Sequence, residues 1–497
     1  MALVPLQRAL AQGSRGGDAV RRLDADIAKA LTDWKAVGLA VAVVRNDSVL
    51  LAKGYGLREL GKPTANDADT RFAIGSTTKA MTSLALAMLV DEGKVRWDAP
   101  VIDYLPGFRL SDPYVTRELT VRDLLTHRAG LGNADMLWAG ADFSADEIFR
   151  RTATLPLAYS FRSGFIYQNI MYAVAGDVVR AASGMSWDDF LDKRIFAPLG
   201  MTNTVTQLRK IEGQPNVAAP HDVVDDTMRV IHNRTVDPVA PAGSVWSSVN
   251  DMAKWMRFVL DSGRVGGKRL VSEASFKQWL SPQTVADPST YPVLALSRPH
   301  FFLYGLGWFL HDYNGQAVAM HTGSIDGMSA IIGLIPDKKL GVYVLANADH
   351  VELRHAIMYE VFDRLGGAAG EKKRDWSADL LAMFERQRTA AASARAQQEA
   401  RRVMGTKPSL PLAEYAGTYR HATYGDAVVS LRGDTLHVKF GSAYDGPLTH
   451  WQHEQFRVRW LDRQNGDAVI TFRPDGNGRI AAAQLLGLTF NRILSTR

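Results

Sequence analysis

The chain has 497 residues, a formal net charge of +6 and no cysteine. This length is too great for one compact core and predicts about two to three domains. The lack of cysteine excludes disulfides, thiolate metal sites and a cysteine nucleophile. The positive charge is thinly spread, without a dense Lys/Arg run between aromatic residues, which argues against nucleic-acid binding.

Two further features of the sequence bear on location. No run approaches the roughly 18 consecutive apolar residues that a membrane-spanning helix needs, so we predict no transmembrane span. Residues 1–16 are predicted to be a disordered leader or a signal-peptide remnant, because Ala9-Leu10-Ala11 resembles a small-residue cleavage site. We therefore expect a periplasmic or secreted protein, with a cytoplasmic location as the alternative.

Helical and strand patterns follow one another in the N-terminal part of the chain. Apolar residues recur at helical spacing over residues 18–37 and predict an amphipathic helix. Residues 38–56 predict a β-hairpin with its turn at Arg45-Asn46-Asp47. Residues 83–90 are apolar nearly all round, which is typical of a buried helix.

The sequence between about residues 100 and 300 combines helices with long loops, and strand patterns return after it. We predict strands over residues 305–309, 329–336 and 340–347, with a turn at 336–339 between the last two. Strands at both ends of a largely helical region favour one sheet built from segments that are distant in sequence.

A change of composition marks the C-terminal part of the chain. Residues 376–403 are rich in Ala, Arg and Gln and predict a helix, and Gly and Pro residues from 405 onward interrupt it. Short alternating strands follow and predict a small all-β barrel. We place a helical linker at residues 371–407 and the barrel at residues 408–497.

The segment most informative about chemistry is Ser76-Thr77-Thr78-Lys79, at the predicted start of the buried helix. Residues three apart share a helix face, so the Lys79 amine can reach the Ser76 hydroxyl. A serine beside a base is a candidate nucleophile, and the free N–H groups at a helix start can hold an oxyanion. Alone, the pattern also fits a helix-capping serine followed by a surface lysine.

Two further motifs follow in order, Tyr167-Gln168-Asn169 and His321-Thr322-Gly323. Serine β-lactamases and penicillin-binding proteins carry Ser-x-x-Lys, Ser-Asp-Asn and Lys-Thr-Gly in this order. With Tyr and His opening the second and third motifs, the chain resembles the group of class C β-lactamases, DD-peptidases and D-aminopeptidases, which includes related esterases. The resemblance covers roughly residues 20–365, and three flanking segments strengthen it: 125–131, 198–201 and 242–248.

This resemblance implies an α+β fold. The catalytic domain, which we place at residues 17–370, is expected to be β-lactamase/transpeptidase-like, with an antiparallel sheet, helices on both faces and a helical subdomain. The C-terminal module, with Tyr415-Ala416-Gly417-Thr418-Tyr419 near its start, resembles the lipocalin-like barrels appended to D-aminopeptidase-type relatives. Such a barrel is either a stability appendage or a module whose loop reaches the catalytic cleft, and it allows a homodimer.

The resemblance also implies the roles in proton transfer. Ser76 is the nucleophile, and Lys79 and Tyr167 take up and return its proton. Tyr167 acts as a phenolate-type base or a proton shuttle if neighbouring cations lower its pKa. Asn169 holds Lys79 and the substrate amide, whereas His127 is expected to be structural.

The third motif is implied to bind substrate. His321 replaces the usual lysine, and its task is to hydrogen-bond Tyr167 or a substrate carboxylate. Because histidine titrates near neutrality, it holds a carboxylate less firmly than a lysine does. Thr322 and Gly323 are expected to line an edge strand beside a peptide-like substrate, and the main-chain N–H groups of Ser76 and Ser324 to form the oxyanion hole.

Together these motifs predict a serine hydrolase that acts through an acyl-enzyme on amide or ester bonds. The favoured activity is that of a peptidase or amidase on small or D-residue-containing peptides. The alternatives are a carboxylesterase, an acyltransferase, and a catalytically silent penicillin-binding or sensor protein. The sequence has no His-Glu-x-x-His element, and no metal or organic cofactor is expected. The expected partners are a small peptide or ester substrate and covalent β-lactam or fluorophosphonate inhibitors.

Overall fold

The structure is a computed structural model that describes residues 4–140, 142–349, 352–367 and 374–493, and for residues 4–16 the backbone only. A mixed domain of helices and an antiparallel sheet is followed by a closed β-barrel. The predicted α+β class with a C-terminal barrel is therefore confirmed. Among the helices described, none is long and apolar enough to cross a membrane.

The α-helices lie mainly before and between the strands of the first domain. In chain order they are α1 Val4–Asp33, α2 Lys79–Asp91, α3 Pro113–Glu118, α4 Val121–Leu124, α5 Ala145–Thr152, α6 Asn169–Ser183, α7 Trp187–Leu191, α8 Ala197–Leu199, α9 Ala240–Gly243, α10 Val249–Leu260, α11 Glu273–Trp279, α12 Leu294–Ser297, α13 Leu353–Val361 and α14 Trp376–Ala400.

The strands form one large sheet, three short two-stranded pairs and the barrel. Those of the first domain are β1 Gly38–Arg45, β2 Ser48–Gly56, β3 Phe72–Ala73, β4 His221–Val224, β5 Thr227–Val230, β6 Trp246–Ser247, β7 Arg264–Val265, β8 Lys268–Arg269, β9 Thr284–Val285, β10 Phe302–Tyr304, β11 Phe309–Tyr313, β12 Gln316–Ile325, β13 Met328–Ile335 and β14 Leu340–Ala346. Those of the barrel are β15 Gly417–His421, β16 Gly425–Arg432, β17 Thr435–Phe440, β18 Tyr444–Gln452, β19 Gln455–Arg459, β20 Asp467–Pro474, β21 Ile480–Leu485 and β22 Leu488–Arg492.

The large sheet has the order β2-β1-β14-β13-β12-β11-β10-β9, and each strand is antiparallel to its neighbours. Its centre joins the two ends of the domain, because Leu39 of β1 pairs with Ala346 of β14. The hairpin predicted over residues 38–56 and the strands predicted over 329–336 and 340–347 are confirmed.

Both faces of the sheet are covered by helices. Alternate residues of β1 pack into two separate cores: Ala40 and Ala42 join the core that contains α2, and Leu39 and Val41 join the core that contains α1 and α13. Seven of the eight β1 residues are buried. This double burial explains the nearly unbroken apolar run in the sequence of that strand.

The first helix starts earlier than we predicted. Residues 1–16 were expected to be unstructured, but the backbone is helical from Val4, and residues 1–3 lie outside the described residues. Pro5 stands in the first turn, where proline is tolerated, and the Leu, Gln, Arg and Ala residues that follow favour a helix. The helix ends at Asp33, before residue 37, and Lys35 then adopts a left-handed φ of 52°.

The strand predicted over residues 305–309 is wrong. β10 ends at Tyr304 and β11 begins at Phe309, so the Gly-rich segment is the connection between them. Gly307 has a φ of +87°, and a Cβ atom there would come within 3.0 Å of the backbone of Ala80. The segment is therefore a tight turn packed against the first residues of α2.

The barrel is closed by eight strands that follow one another in sequence order. It contacts the first domain through polar side chains: Arg151 donates to the Thr423 carbonyl at 2.9 Å, and Arg463 pairs with Asp225 at 2.7 Å. Helix α14 connects the two domains, within the range predicted for a helical linker.

Candidate active site

Ser76 and Lys79 lie at the mouth of α2. Ser76 is in the single turn of 3-10 helix, Gly75–Thr78, that leads into this helix. Lys79 is its first residue, and its side chain is fully buried. The Lys79 Nζ lies 3.0 Å from Ser76 Oγ, 2.7 Å from Asn169 Oδ1 and 2.8 Å from the Ala242 carbonyl oxygen. The structure thus brings the first two sequence motifs together.

Burial controls the protonation of Lys79. It lowers the pKa of the amine well below its ordinary value, and the charge of Asp135 only partly opposes this effect. A neutral amine has two protons and one lone pair. Because the Asn169 and Ala242 oxygens can only accept, they take the two protons, and the lone pair faces the Ser76 hydroxyl. This arrangement makes Lys79 a base for Ser76.

Tyr167 covers the amine with its ring. Its ring centre lies 4.7 Å from Lys79 Nζ. Burial raises the pKa of the Tyr167 hydroxyl well above its ordinary value, and a contact with the Ser76 hydroxyl moderates the rise. Within the described residues, the buried oxygen has no hydrogen bond of normal geometry. The cations that a phenolate would need do not lower this pKa, so the neutral hydroxyl suits a proton shuttle.

His127 fixes the segment that carries Tyr167. The Ile166 N–H donates to the His127 carbonyl and the Gln168 N–H donates to His127 Nδ1, each at 3.0 Å. The two ring centres of His127 and Tyr167 are 4.2 Å apart. Burial holds the pKa of His127 well below its ordinary value, so Nδ1 stays free to accept. The expected structural role of His127 thus takes the specific form of positioning Tyr167.

His321 does not make the contact that we expected with Tyr167. Its Nε2 lies 3.1 Å from the Tyr304 hydroxyl, and its Nδ1 lies 2.6 Å from the Thr322 carbonyl oxygen. A carbonyl can only accept, so Nδ1 carries the proton and Nε2 accepts from Tyr304. Burial lowers the pKa of His321 to about 3. The imidazole is therefore neutral, with both nitrogens engaged, and supplies no cation to a substrate carboxylate.

Two glycines, Gly75 and Gly323, approach each other closely where the sequence predicts the oxyanion hole. A Cβ atom on Gly323 would come within 1.9 Å of the Ile74 carbonyl oxygen and 3.0 Å of Ser76 N. A Cβ atom on Gly75, whose φ is +53°, would lie 2.6 Å from Ser324 N. Only glycine fits at both positions, and this close approach brings the backbone nitrogens of Ser76 and Ser324 into the same region.

β12 is an edge strand over only half its length. β11 pairs with β12 as far as Met320, whereas β13 continues to pair with it through Ile325. The predicted edge beside Thr322 and Gly323 is therefore real, but it belongs to a strand inside the sheet. The Thr322 hydroxyl lies 2.6 Å from the Tyr291 hydroxyl.

Asp135 was not predicted, although it extends the contacts of Lys79. Asn169 Nδ2 donates to Asp135 Oδ1 at 3.0 Å, and Trp138 Nε1 donates to the same oxygen at 2.9 Å. A carboxylate is thus separated from the lysine by one amide side chain. Asp135 belongs to no motif, and the nearby Asn133 marks only a turn.

Arg354 was also not predicted from the sequence to lie at the site. It is 5% exposed, and its Nη1 donates to the Gly323 carbonyl at 2.7 Å and to Ser324 Oγ at 2.9 Å. Its Nη2 pairs with Glu352 at 3.0 Å. Burial acts to raise the pKa of Glu352, but the charge of Arg354 overcomes this and lowers it. A charged residue within the apolar start of α13 was the available hint.

The comparisons with known proteins agree with this geometry. A family model described as Beta-lactamase matches residues 23–365. The chain belongs to the beta-lactamase family. A second model, described as a domain of unknown function, DUF3471, matches residues 401–493 and thus the barrel.

Relatives of this beta-lactamase family member include hydrolases and penicillin-binding proteins. The chain is 31% identical over 442 residues to the unguisins hydrolase ungD of Aspergillus violaceofuscus, which covers 83% of this chain and 77% of that protein. It is 29% identical over 322 residues to penicillin-binding protein 4 of Amycolatopsis lactamdurans, covering 64% and 82%. The solved structure of an octameric penicillin-binding protein homologue from Pyrococcus abyssi has a TM-score of 0.62 at 21% identity, covering 95% and 99%. The resemblance drawn from the three motifs is confirmed.

The described residues contain no candidate metal site. No group of three or more His, Cys, Asp or Glu side chains is placed to hold a metal ion in that part of the chain.

We predict that His127→Leu lowers kcat for a p-nitrophenyl ester by about 10- to 100-fold with little change in KM, because Tyr167 loses its support. His127→Asn should restore most of the loss, since its Oδ1 can replace Nδ1 as an acceptor and Asn tolerates the φ of 57° at this position. Lys35→Leu is the matched control, because it places leucine at a left-handed φ of 52° far from the site. Equal activity of the Leu and Asn variants would contradict the positioning role.

We predict that stability falls as the pH falls through the window set by His321. Its pKa is lowered from 6.5 to about 3 in the folded protein, so between these values the unfolded chain binds a proton that the folded chain does not. The free energy of unfolding therefore rises with pH in this range. Denaturant unfolding between about pH 4 and 7 should show a shallower slope for His321→Gln than for the parent.

The exposed His300 gives a control of opposite sign. Asp312 raises the pKa of His300 through a hydrogen bond, so its stabilising effect is present at low pH and is lost as the pH rises. His300→Gln should leave the slope unchanged or slightly steeper. Identical slopes for His321→Gln and the parent would show that His321 is not buried as a neutral group.

Proposed function

We propose that this protein is a serine hydrolase that cleaves amide bonds of small or D-residue-containing peptides through an acyl-enzyme. The observation that carries the proposal is the 3.0 Å contact between Lys79 Nζ and Ser76 Oγ, with the other two partners of the amine both acceptors. Family membership supports hydrolase chemistry in general. The preference for peptides and for D-residues rests on the arguments below.

The contacts of Ser76 with Lys79 and Tyr167 support the following acylation step. Ser76 Oγ attacks the substrate carbonyl carbon while its proton passes to the Lys79 lone pair. The Ser76 and Ser324 amides stabilise the oxyanion. Tyr167 gives its hydroxyl proton to the leaving nitrogen and receives the proton held by Lys79, so the C–N bond breaks and an ester to Ser76 remains. Charge on the protein is unchanged at the end of the step.

Deacylation reverses the proton path. Water replaces the departed amine and attacks the ester carbonyl within the same oxyanion hole, while it gives one proton to Tyr167 and Tyr167 passes its own proton to Lys79. The C–O bond to Ser76 breaks, and Ser76 recovers its proton from Lys79. Each step needs a neutral Lys79, which the burial of this amine supports.

Three features favour a peptide over a simple ester. No strand pairs with the outer edge of β12 from His321 to Ile325, so its main-chain groups, other than the carbonyls already bound by His321 and Arg354, can meet an extended chain. Beyond its bonds to Lys79 and Asp135, the Asn169 amide keeps one lone pair on Oδ1 and one N–H on Nδ2, which suit a substrate amide. The relatives named an unguisins hydrolase and a penicillin-binding protein support the same reaction class.

The charges disfavour recognition of a substrate carboxylate. His321 is neutral, and Arg354 is occupied by Glu352 and by β12. Neither group therefore serves as the cation that a carboxypeptidase would need near the scissile bond. We favour an amidase or aminopeptidase-type substrate over a carboxypeptidase substrate, and the D-residue preference follows the resemblance to DD-peptidases and D-aminopeptidases.

We predict that a fluorophosphonate forms one covalent adduct, detected by intact mass, on the parent and none on Ser76→Ala. Lys79→Arg should slow adduct formation by about 10²- to 10⁴-fold, because a guanidinium cannot take the proton. Ser163→Ala, which removes an exposed hydroxyl elsewhere, should react like the parent. An adduct that persists on Ser76→Ala would contradict the assignment of the nucleophile.

The substrate class is tested with matched peptide amides that differ only in the configuration of one residue. We expect faster release of the amine from the D-residue amide, and a carboxylate-terminated analogue should be poorer than its amide. Faster cleavage of p-nitrophenyl esters with no cleavage of either amide would replace the peptidase with an esterase. Capture of the acyl group by added amine in place of water would replace the hydrolase with an acyltransferase.

A further inference from the structure

A cavity of about 150 Å³ opens at the end of β12, next to the catalytic site. Its walls come from three segments that are distant in sequence: the loop around Trp138, the loop around Arg234, and the end of β12 with the turn after it. The lining residues that matter here are Trp138, Arg234, Val236, Ser324, Ile325 and Asp326.

Two walls of the cavity are continuous with the catalytic groups. Ser324 lines the cavity, and its backbone nitrogen lies close to Gly75, next to the nucleophile Ser76. On the opposite side, Trp138 Nε1 donates to Asp135, which accepts from Asn169, which accepts from Lys79. A substrate carbonyl held in the oxyanion hole therefore places its neighbouring group at the entrance of the cavity.

The single arginine in the cavity lining has no free charge to offer. Its Nη2 donates to Asp462 at 2.6 Å and to Asn465 at 3.0 Å, and its Nη1 lies 3.1 Å from Asp326. Two carboxylates thus oppose one guanidinium. An anionic substrate group would meet net negative charge here and is disfavoured.

Besides the charged residues Arg234, Asp326 and Asp349 and the hydroxyl residues Thr235 and Ser324, the lining is apolar. Trp138, Val236 and Ile325 present an indole and two branched side chains to the space. An apolar cavity of roughly this volume holds a benzene ring in a well-studied engineered protein. The space therefore fits one aromatic or branched aliphatic side chain.

The barrel holds the walls in place. Asp462 and Asn465, which clamp Arg234, lie in the connection between β19 and β20. Gly140, in the lining loop next to Trp138, packs so closely on Ala443 that a Cβ atom would come within 2.7 Å of its methyl group. The cavity thus keeps its shape only while the barrel is docked.

We propose that this cavity binds the uncharged aromatic or branched apolar side chain of the substrate residue next to the bond that Ser76 attacks. This inference rests on the proposed function, because it assigns a specificity site to the same reaction. The barrel takes part in specificity by fixing Arg234 and the Gly140 loop, without supplying a catalytic group.

The experiment compares p-nitrophenyl phenylacetate with p-nitrophenyl acetate. The ratio of their kcat/KM values should favour the phenylacetyl ester in the parent, and Ile325→Trp, which fills the cavity, should lower that ratio by about tenfold or more. Val428→Trp is the matched control, because it adds the same side chain at an exposed position on the barrel. An unchanged ratio in Ile325→Trp would overturn the proposal.

A second pair of variants tests the walls without adding bulk. Asp462→Asn weakens the clamp on Arg234 and should lower the same ratio, whereas Asp225→Asn removes an ion pair to Arg463 that also joins the two domains but does not line the cavity. If both variants lower the ratio equally, general loosening of the domains explains the effect and the proposal fails.

Binding to Ser76→Ala separates this proposal from the proposed function. Calorimetry should show phenylacetamide binding about tenfold or more tightly than acetamide, and Ile325→Trp in the same background should remove the difference. Equal affinities for the two amides would overturn the cavity assignment, whatever the turnover. A parent protein that forms no fluorophosphonate adduct but keeps the affinity difference would retain the cavity and lose the hydrolase.

Discussion

The burial of one amine determines the design of this site. Lys79 is completely enclosed, and an enclosed ammonium without a carboxylate in direct contact is costly. The amine therefore gives up its proton, and the surroundings must accept two N–H groups while leaving the lone pair directed at Ser76. The amide oxygen of Asn169 and the carbonyl of Ala242 meet this need. A carboxylate at either position would restore the charge and remove the base, which explains why Asp135 stands one residue further away.

The same low polarity sets the state of every neighbouring group. Tyr167, Tyr304 and His321 are buried together, and each keeps its neutral form because burial penalises its charged form. In the proposed reaction, protons therefore move between neutral partners, and charge builds up only in the transition state. That property suits a substrate that is itself uncharged near the scissile bond, and it agrees with the engaged nitrogens of His321.

Local sequence patterns predicted much of the fold but few of the contacts that control protonation. The alternating and continuous apolar runs predicted β1, β2, β13 and β14, because both faces of these strands meet helices. The strand predicted over residues 305–309 was wrong, because Gly307 forms a left-handed turn against Ala80 in place of a strand. The start of α1 at Val4 was missed because its first residues lack a clear amphipathic pattern.

The same difference applies to the site: the order of the motifs could be recognised in the sequence, but the contacts between their side chains could not. Motif order identified Ser76, Lys79, Tyr167 and Asn169, and the structure brings these side chains together. Motifs do not state hydrogen-bond partners, so the pairing of His321 with Tyr304 was not foreseen. Asp135 and Arg354 contact residues from distant segments of the chain. Their positions in the sequence do not predict these contacts. The barrel contacts depend in the same way on the docking of two surfaces.

The pairing of β1 with β14 has a consequence for how the protein is made. Leu39 and Ala346 are direct partners at the centre of the sheet, so the nucleophile-bearing helix is synthesised long before the sheet beneath it can close. Until β14 has left the ribosome, β1 lacks its central neighbour, and the apolar residues of α2 lack part of the sheet against which they pack. The barrel differs from the large sheet, because all of its strand pairs except the closing one join strands that are neighbours in the sequence. The barrel, which follows β14 in the chain, therefore pairs mostly local segments, whereas the first domain has to keep its long-range partners from aggregating until β14 has been synthesised.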